Sequence, residues 1–143
     1  MTQTMTRAIS AYRTTSASVH PLVAVVRLFD EMLVQIRRGV QAIEARRHED
    51  SFIAIAKAGL VLQGLSHNLR FDMGGDVAET LLSTYTKNCI ALHTAYGKPD
   101  AVARYRTIAA GLAELRDAWA QAAGMRTLAE EAQMVSAPGP RRS

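Results

Sequence analysis

Few side chains in this sequence stand at spacings that could do chemistry. Glu44 and His48 are four apart, one helical turn, and could offer two ligands to a metal from one helix face. Helical bundles that hold two irons use Glu-x-x-His pairs and further inward carboxylates, and no Glu-x-x-His occurs here. The pair also falls where the surrounding hydrophobic pattern breaks, which suits a solvated pair. His67 and His93 lie beside apolar positions and read as hydrogen-bonded boundary histidines. Glu114 and Asp117, three apart, are surface acids unless burial separates their roles. Cys89, the single cysteine, sits in an apolar seam, where a thiol packs as a small hydrophobe. Serine, histidine and aspartate are present without a nucleophile elbow to organise them. The expectation is a protein that is not an enzyme, with no catalytic residues, no metal and no cofactor.

The stretch RFDMGGDVAET, residues 70–80, raises a different possibility, a phosphate-cradling loop. Neither GxGxxG nor a terminal GKS or GKT is present, and Asp76 and Glu79 place negative charge where an anion would bind. Two glycines inside a helix cost about 1 kcal/mol each relative to alanine. The sequence therefore predicts a tight corner: one helix stops at Gly74-Gly75, and Asp76 with Glu79 forms a capping box for the next.

The elements that position these residues follow from hydrophobic spacing. Apolar residues recur at 22, 25/26, 29, 32/33, 36, 40 and 43, alternating steps of three and four as one helix face requires. Pro21 suits the first helical position, and RRHED breaks the pattern near 46–50. A second seam runs through Phe52, Ile55, Ala58, Leu62, Leu65 and Leu69, and a third through Val77, Leu81, Tyr85, Cys89, Leu92 and Tyr96. The fourth holds Tyr105, Ile108, Leu112, Leu115, Trp119 and Ala122. Four rods of similar length with short connections predict an all-α fold, an antiparallel up-down four-helix bundle over residues 21–123. Residues 1–20 read as a flexible segment with a short helical cap, its apolar edge formed by Ile9 and Tyr12. Residues 124–143 read as a largely disordered tail, with a ragged helical turn within 125–135.

Composition narrows the partners. The net charge is +4, but residues 21–123 carry 12 Lys and Arg against 11 Asp and Glu, so most of the excess lies in the flanks. A nucleic-acid binder concentrates charge on one face, so none is expected as a partner. No apolar run reaches a membrane span, a lone cysteine forms no internal disulfide, and the first residues lack a signal-peptide core. A cytoplasmic location is expected, without membrane insertion. Apolar residues outside the seams remain: Val23 and Val34, Ile53 and Leu60, Leu82 and Ile90. They widen the core stripe or form a groove for a partner helix.

The stretches AISAYRTTS, PLVAVVRLFDEML, GGDVAETLLSTY and LAELRDAW, in this order, resemble the flagellar secretion chaperone FliS family, a resemblance that covers about residues 9–122. The resemblance implies a bundle that holds the C-terminal segment of flagellin, prevents its premature polymerisation and delivers it to the flagellar type III export apparatus. It implies that Ile9 and Tyr12 belong to a segment that caps the bundle and helps engage the export gate's cytosolic domain. Phe29, Tyr85 and Trp119 match family positions and are expected in the core. The family's flagellin groove has no short motif, so Ile53, Leu60, Leu82 and Ile90 are assigned to it from leftover apolarity. The sequence departs from the pattern at Val26, Glu31, the TKN after Tyr85 and His20-Pro21, which bears on cargo choice. An anti-sigma factor or co-chaperone is a further candidate partner, and a helical adaptor or sequestering protein for another flagellar regulator is the alternative function.

Overall fold

A stripe of apolar side chains along a helix can leave water only against another stripe, so four such helices close around one core. The computed structural model describes Ile9, residues 19–69 and residues 71–136 of the chain. It contains α1 (Val19–Glu44), α2 (His48–His67), α3 (Phe71–Ala95), α4 (Ala101–Ala122) and α5 (Leu128–Ser136). α1 packs against α2 and α4, α2 against α3, and α3 more sparsely against α4. With connections of only a few residues, consecutive helices must run antiparallel.

The core is the one the spacing predicts. Leu22, Val26, Phe29, Met32, Ile36 and Val40 of α1 are buried with Ile55, Ala58, Leu62 and Leu65 of α2. Leu81, Tyr85 and Leu92 of α3 and Tyr105, Leu112, Leu115 and Trp119 of α4 complete it. At its centre the Trp119 indole N–H donates to the Tyr85 hydroxyl at 3.1 Å, and Tyr85 stands 6.1 Å, ring to ring, from Phe29. Three helices thus meet through aromatic residues whose polar tip is satisfied internally. Phe52 and Tyr96, placed in seams by their spacing, sit instead at one end of the bundle. There they pack edge to face at 5.6 Å with substantial exposure, while the adjacent Ser51 and Ala95 take the buried positions.

The glycine pair is not the corner. α3 already begins at Phe71, so Gly74 and Gly75 lie in its first two turns. Asp76 is a helix interior residue whose carbonyl accepts from the Thr80 hydroxyl at 2.9 Å, so the predicted capping box does not form. The chain turns earlier. The Asn68 amide donates to the Gly64 carbonyl at 2.8 Å, taking over a carbonyl that a further helical turn would have used. At a helix start, four N–H groups have no intrahelical acceptor in any case, which lowers what the glycines forfeit there. α1 likewise begins two residues before Pro21, still within the turn where a missing N–H is harmless.

Two helix ends use one motif with different residues. At the end of α4, Gly124 has φ 73°, with Met125 N–H donating to the Ala120 carbonyl and Gly124 N–H to that of Gln121. At the end of α1 the same pattern joins Arg47 to Ala42 and Arg46 to Ile43, but the left-handed residue is Arg46, with φ 58°. A side chain at that φ costs roughly 1 kcal/mol that glycine avoids. Arg46→Gly is therefore expected to raise stability by about 0.5 to 1 kcal/mol, measured as an increased urea midpoint with unchanged slope.

Past Gly124, α5 extends the helical turn anticipated within 125–135. It starts from a complete capping box: Glu130 N–H donates to the Thr127 hydroxyl oxygen, and Thr127 N–H donates back to the Glu130 carboxylate at 3.0 Å. That backbone N–H, with the Thr127 hydroxyl, holds the Glu130 pKa below its ordinary value.

Candidate functional site

Where facing residues are small, the bundle surface opens into grooves. Between α3 and α4 a groove of about 540 Å³ is lined by Lys87, Ile90, Ala91 and Thr94 on one side and Ala103, Thr107 and Ile108 on the other. A second, also about 540 Å³, runs between α1 and α4, with Leu33, Ile36 and Val40 facing Ala109, Ala110 and Ala113. The exposed Arg106–Glu44 ion pair, 3.2 Å, spans one end. A third, between α1 and α2, holds about 240 Å³ and is more polar, with Arg38, Arg47, Asp50 and Lys57 among its walls.

The residues singled out in the sequence are distributed over these surfaces. Ile90, 60% exposed, rims the α3–α4 groove, while Ile53, 44% exposed, edges the polar α1–α2 groove. Leu60, 65% exposed, lines none of the three, and Leu82 is half-buried on α3. Ile9 is fully buried in the hydrophobic core, and Tyr12 lies outside the described residues. Among the described residues no group of three or more His, Cys, Asp or Glu could hold a metal. No described helix is long and apolar enough to cross a membrane.

The most concentrated electrostatics centre on Arg116 of α4, whose side chain is fully buried. Its guanidinium donates to Asp30 of α1 at 2.9 Å, to Asp117 at 3.1 Å and to the Arg126 carbonyl at 2.8 Å. Glu131 of α5 approaches at 3.4 Å. Burial alone would lower the guanidinium pKa, but the hydrogen-bonded Asp30 and Asp117 and the charge of Glu131 outweigh it and raise the value. Asp117, read from sequence as a surface acid, also accepts the Leu128 N–H at 2.9 Å, so it serves the start of α5 as well. The spacing of these residues carries no trace of the cluster, since Asp30 and Arg116 are 86 positions apart. The grooves do have a signal: α4 places Ala103, Thr107, Ala109, Ala110 and Ala113 where its neighbours could have met larger side chains.

Tyr105 supplies a titrating probe of the α1–α4 groove wall. Its buried hydroxyl donates to the Leu92 carbonyl at 3.2 Å, and burial, with a smaller contribution from Tyr96, raises its pKa from 10.0 to about 12. A raised pKa favours the protonated folded state, so this contribution is intact below pH 10 and is lost as pH rises from 10 toward 12. The expected loss over that window is on the order of 2 kcal/mol. Denaturant midpoints across it should fall more steeply for the wild type than for Tyr105→Phe.

An all-α up-down bundle with solvent-open grooves and exposed aliphatic residues along its outer faces is the class that this geometry defines. The family model described as "Flagellar protein FliS" matches residues 5–126, and the chain belongs to that family. No curated protein and no solved structure matches the chain. Membership gives the protein a flagellar chaperone role in general terms.

Proposed function

We infer that the protein is a cytoplasmic, non-enzymatic export chaperone. It binds the C-terminal segment of flagellin, keeps it from polymerising and hands it to the flagellar type III export apparatus. The family match over residues 5–126 carries this reading. The grooves support it physically: a segment with aliphatic residues at helical spacing buries them there and folds as it binds. Ile90, with Ile53, Leu60 and Leu82, contributes contacts along the outer faces. Ile9 and Tyr12 serve the export gate's cytosolic domain, and Ile9, being buried in the core, would have to leave it to do so.

The test is calorimetric titration of the full chain with the roughly 40-residue C-terminal segment of the same organism's flagellin, as helix about two bundle lengths. One-to-one binding with a large negative heat-capacity change is expected. Ile90→Asp, at an exposed position, should weaken binding about tenfold without moving the thermal midpoint. A folded bundle that fails to bind the segment would remove flagellin as cargo and favour an adaptor for another flagellar regulator.

A further inference from the structure

We propose that α5 is a strap closed over Arg116 by polar contacts, and that it opens on its own while the four long helices stay folded. No side chain of α5 is buried, and its apolar residues near the C-terminal end, Met134 and Val135, are 57% and 88% exposed. Apolar burial therefore does little to hold it down. What holds it is the carbonyl of Arg126 on the Arg116 guanidinium, the Leu128 N–H on Asp117, and Glu131 on Arg116. The Glu131 contact is the longest of the guanidinium's three ion pairs and has the most exposed acid, at 3.4 Å and 44%.

The remaining partners make opening feasible. When α5 lifts, Asp30 and Asp117 stay on the bundle and keep Arg116 paired, so no buried charge is orphaned. The capping box belongs to α5 and its leading residue alone, but a helix of nine residues is marginal in isolation, so the lifted strap melts. Asp30 and Arg116 lie one turn along from Leu33 and Ala113 of the α1–α4 groove. The closed strap therefore sits at that groove's end, and opening uncovers about one further turn, ~5 Å, of the α1–α4 surface.

Hydrogen exchange on the full chain, read by mass spectrometry, tests this. Amides 131–136, beginning with the Glu131 N–H that donates to the Thr127 carbonyl, should be protected yet exchange well before those of α1 and α4 around Met32 and Leu112. Glu131→Gln should speed exchange in α5 about two- to fivefold and the bundle amides by no larger factor, so that α5 still exchanges well before them. High salt should act in the same direction on the wild type. Exchange of α5 in step with the bundle core would overturn the proposal, as would exchange at the unprotected rate or indifference to Glu131→Gln.

Discussion

Arg116→Met is expected to destabilise the protein by about 3 kcal/mol, read as a fall in the urea midpoint of the far-ultraviolet circular dichroism signal. Methionine fills much of the same volume, so the loss is electrostatic. It removes the cation from among Asp30, Asp117 and Glu131 and leaves the Arg126 carbonyl without its donor. Breaking a buried ion pair from one side costs about 3 to 5 kcal/mol, and the lower end applies because the three acids keep 27% to 44% exposure. Glu131→Gln, at the most exposed of the three, should cost under about 1 kcal/mol. An unchanged midpoint in Arg116→Met would mean that desolvation of the guanidinium cancels everything it gains from its partners.

Trp119→Ala should have an effect of similar or greater size, about 3 to 5 kcal/mol, because the indole is the largest buried side chain and its removal leaves a cavity. The cavity would open between α3 and α4, where Tyr85 meets the indole, and Tyr85 in turn packs on Phe29 of α1, so collapse would draw on three helices. Trp119→Phe keeps an aromatic ring and should retain more than half of that stability. Calorimetric scans of both variants provide the measurement. A loss below about 1 kcal/mol for the alanine variant would place Trp119 outside the cooperative core.

The seams were legible because helix periodicity is a local property: Leu22 through Val40 could be assigned to one face without knowing what covers them. The same reasoning misplaced the α2–α3 corner. Glycine propensity weighs the cost of Gly74 and Gly75 but is blind to the Asn68 amide, which stops α2 earlier. Phe52 and Tyr96 fit their seams by spacing, yet the adjacent Ser51 and Ala95 are the residues that face the core, a choice between neighbouring faces that no single seam contains. The grooves were partly visible in the small residues of α4. The Arg116 cluster was not, because its members are ordinary charged residues until the bundle brings α1 and α5 to α4. Family motifs overlapped it without showing it: Asp30 lies within PLVAVVRLFDEML and Arg116 within LAELRDAW.

The order of packing around the bundle also governs how the chain folds. Three of the four main helix pairings, α1 with α2, α2 with α3 and α3 with α4, join elements adjacent in sequence, and only α1 with α4 closes the ring. Most native contacts therefore form within helical hairpins at small loop-closure entropy, the regime of bundles that fold in microseconds to milliseconds. The long-range entropy is concentrated in one docking event, along the seam where Arg116 meets Asp30. Grooves bounded by a single hairpin take shape early, whereas the α1–α4 groove is complete only once the ring has closed.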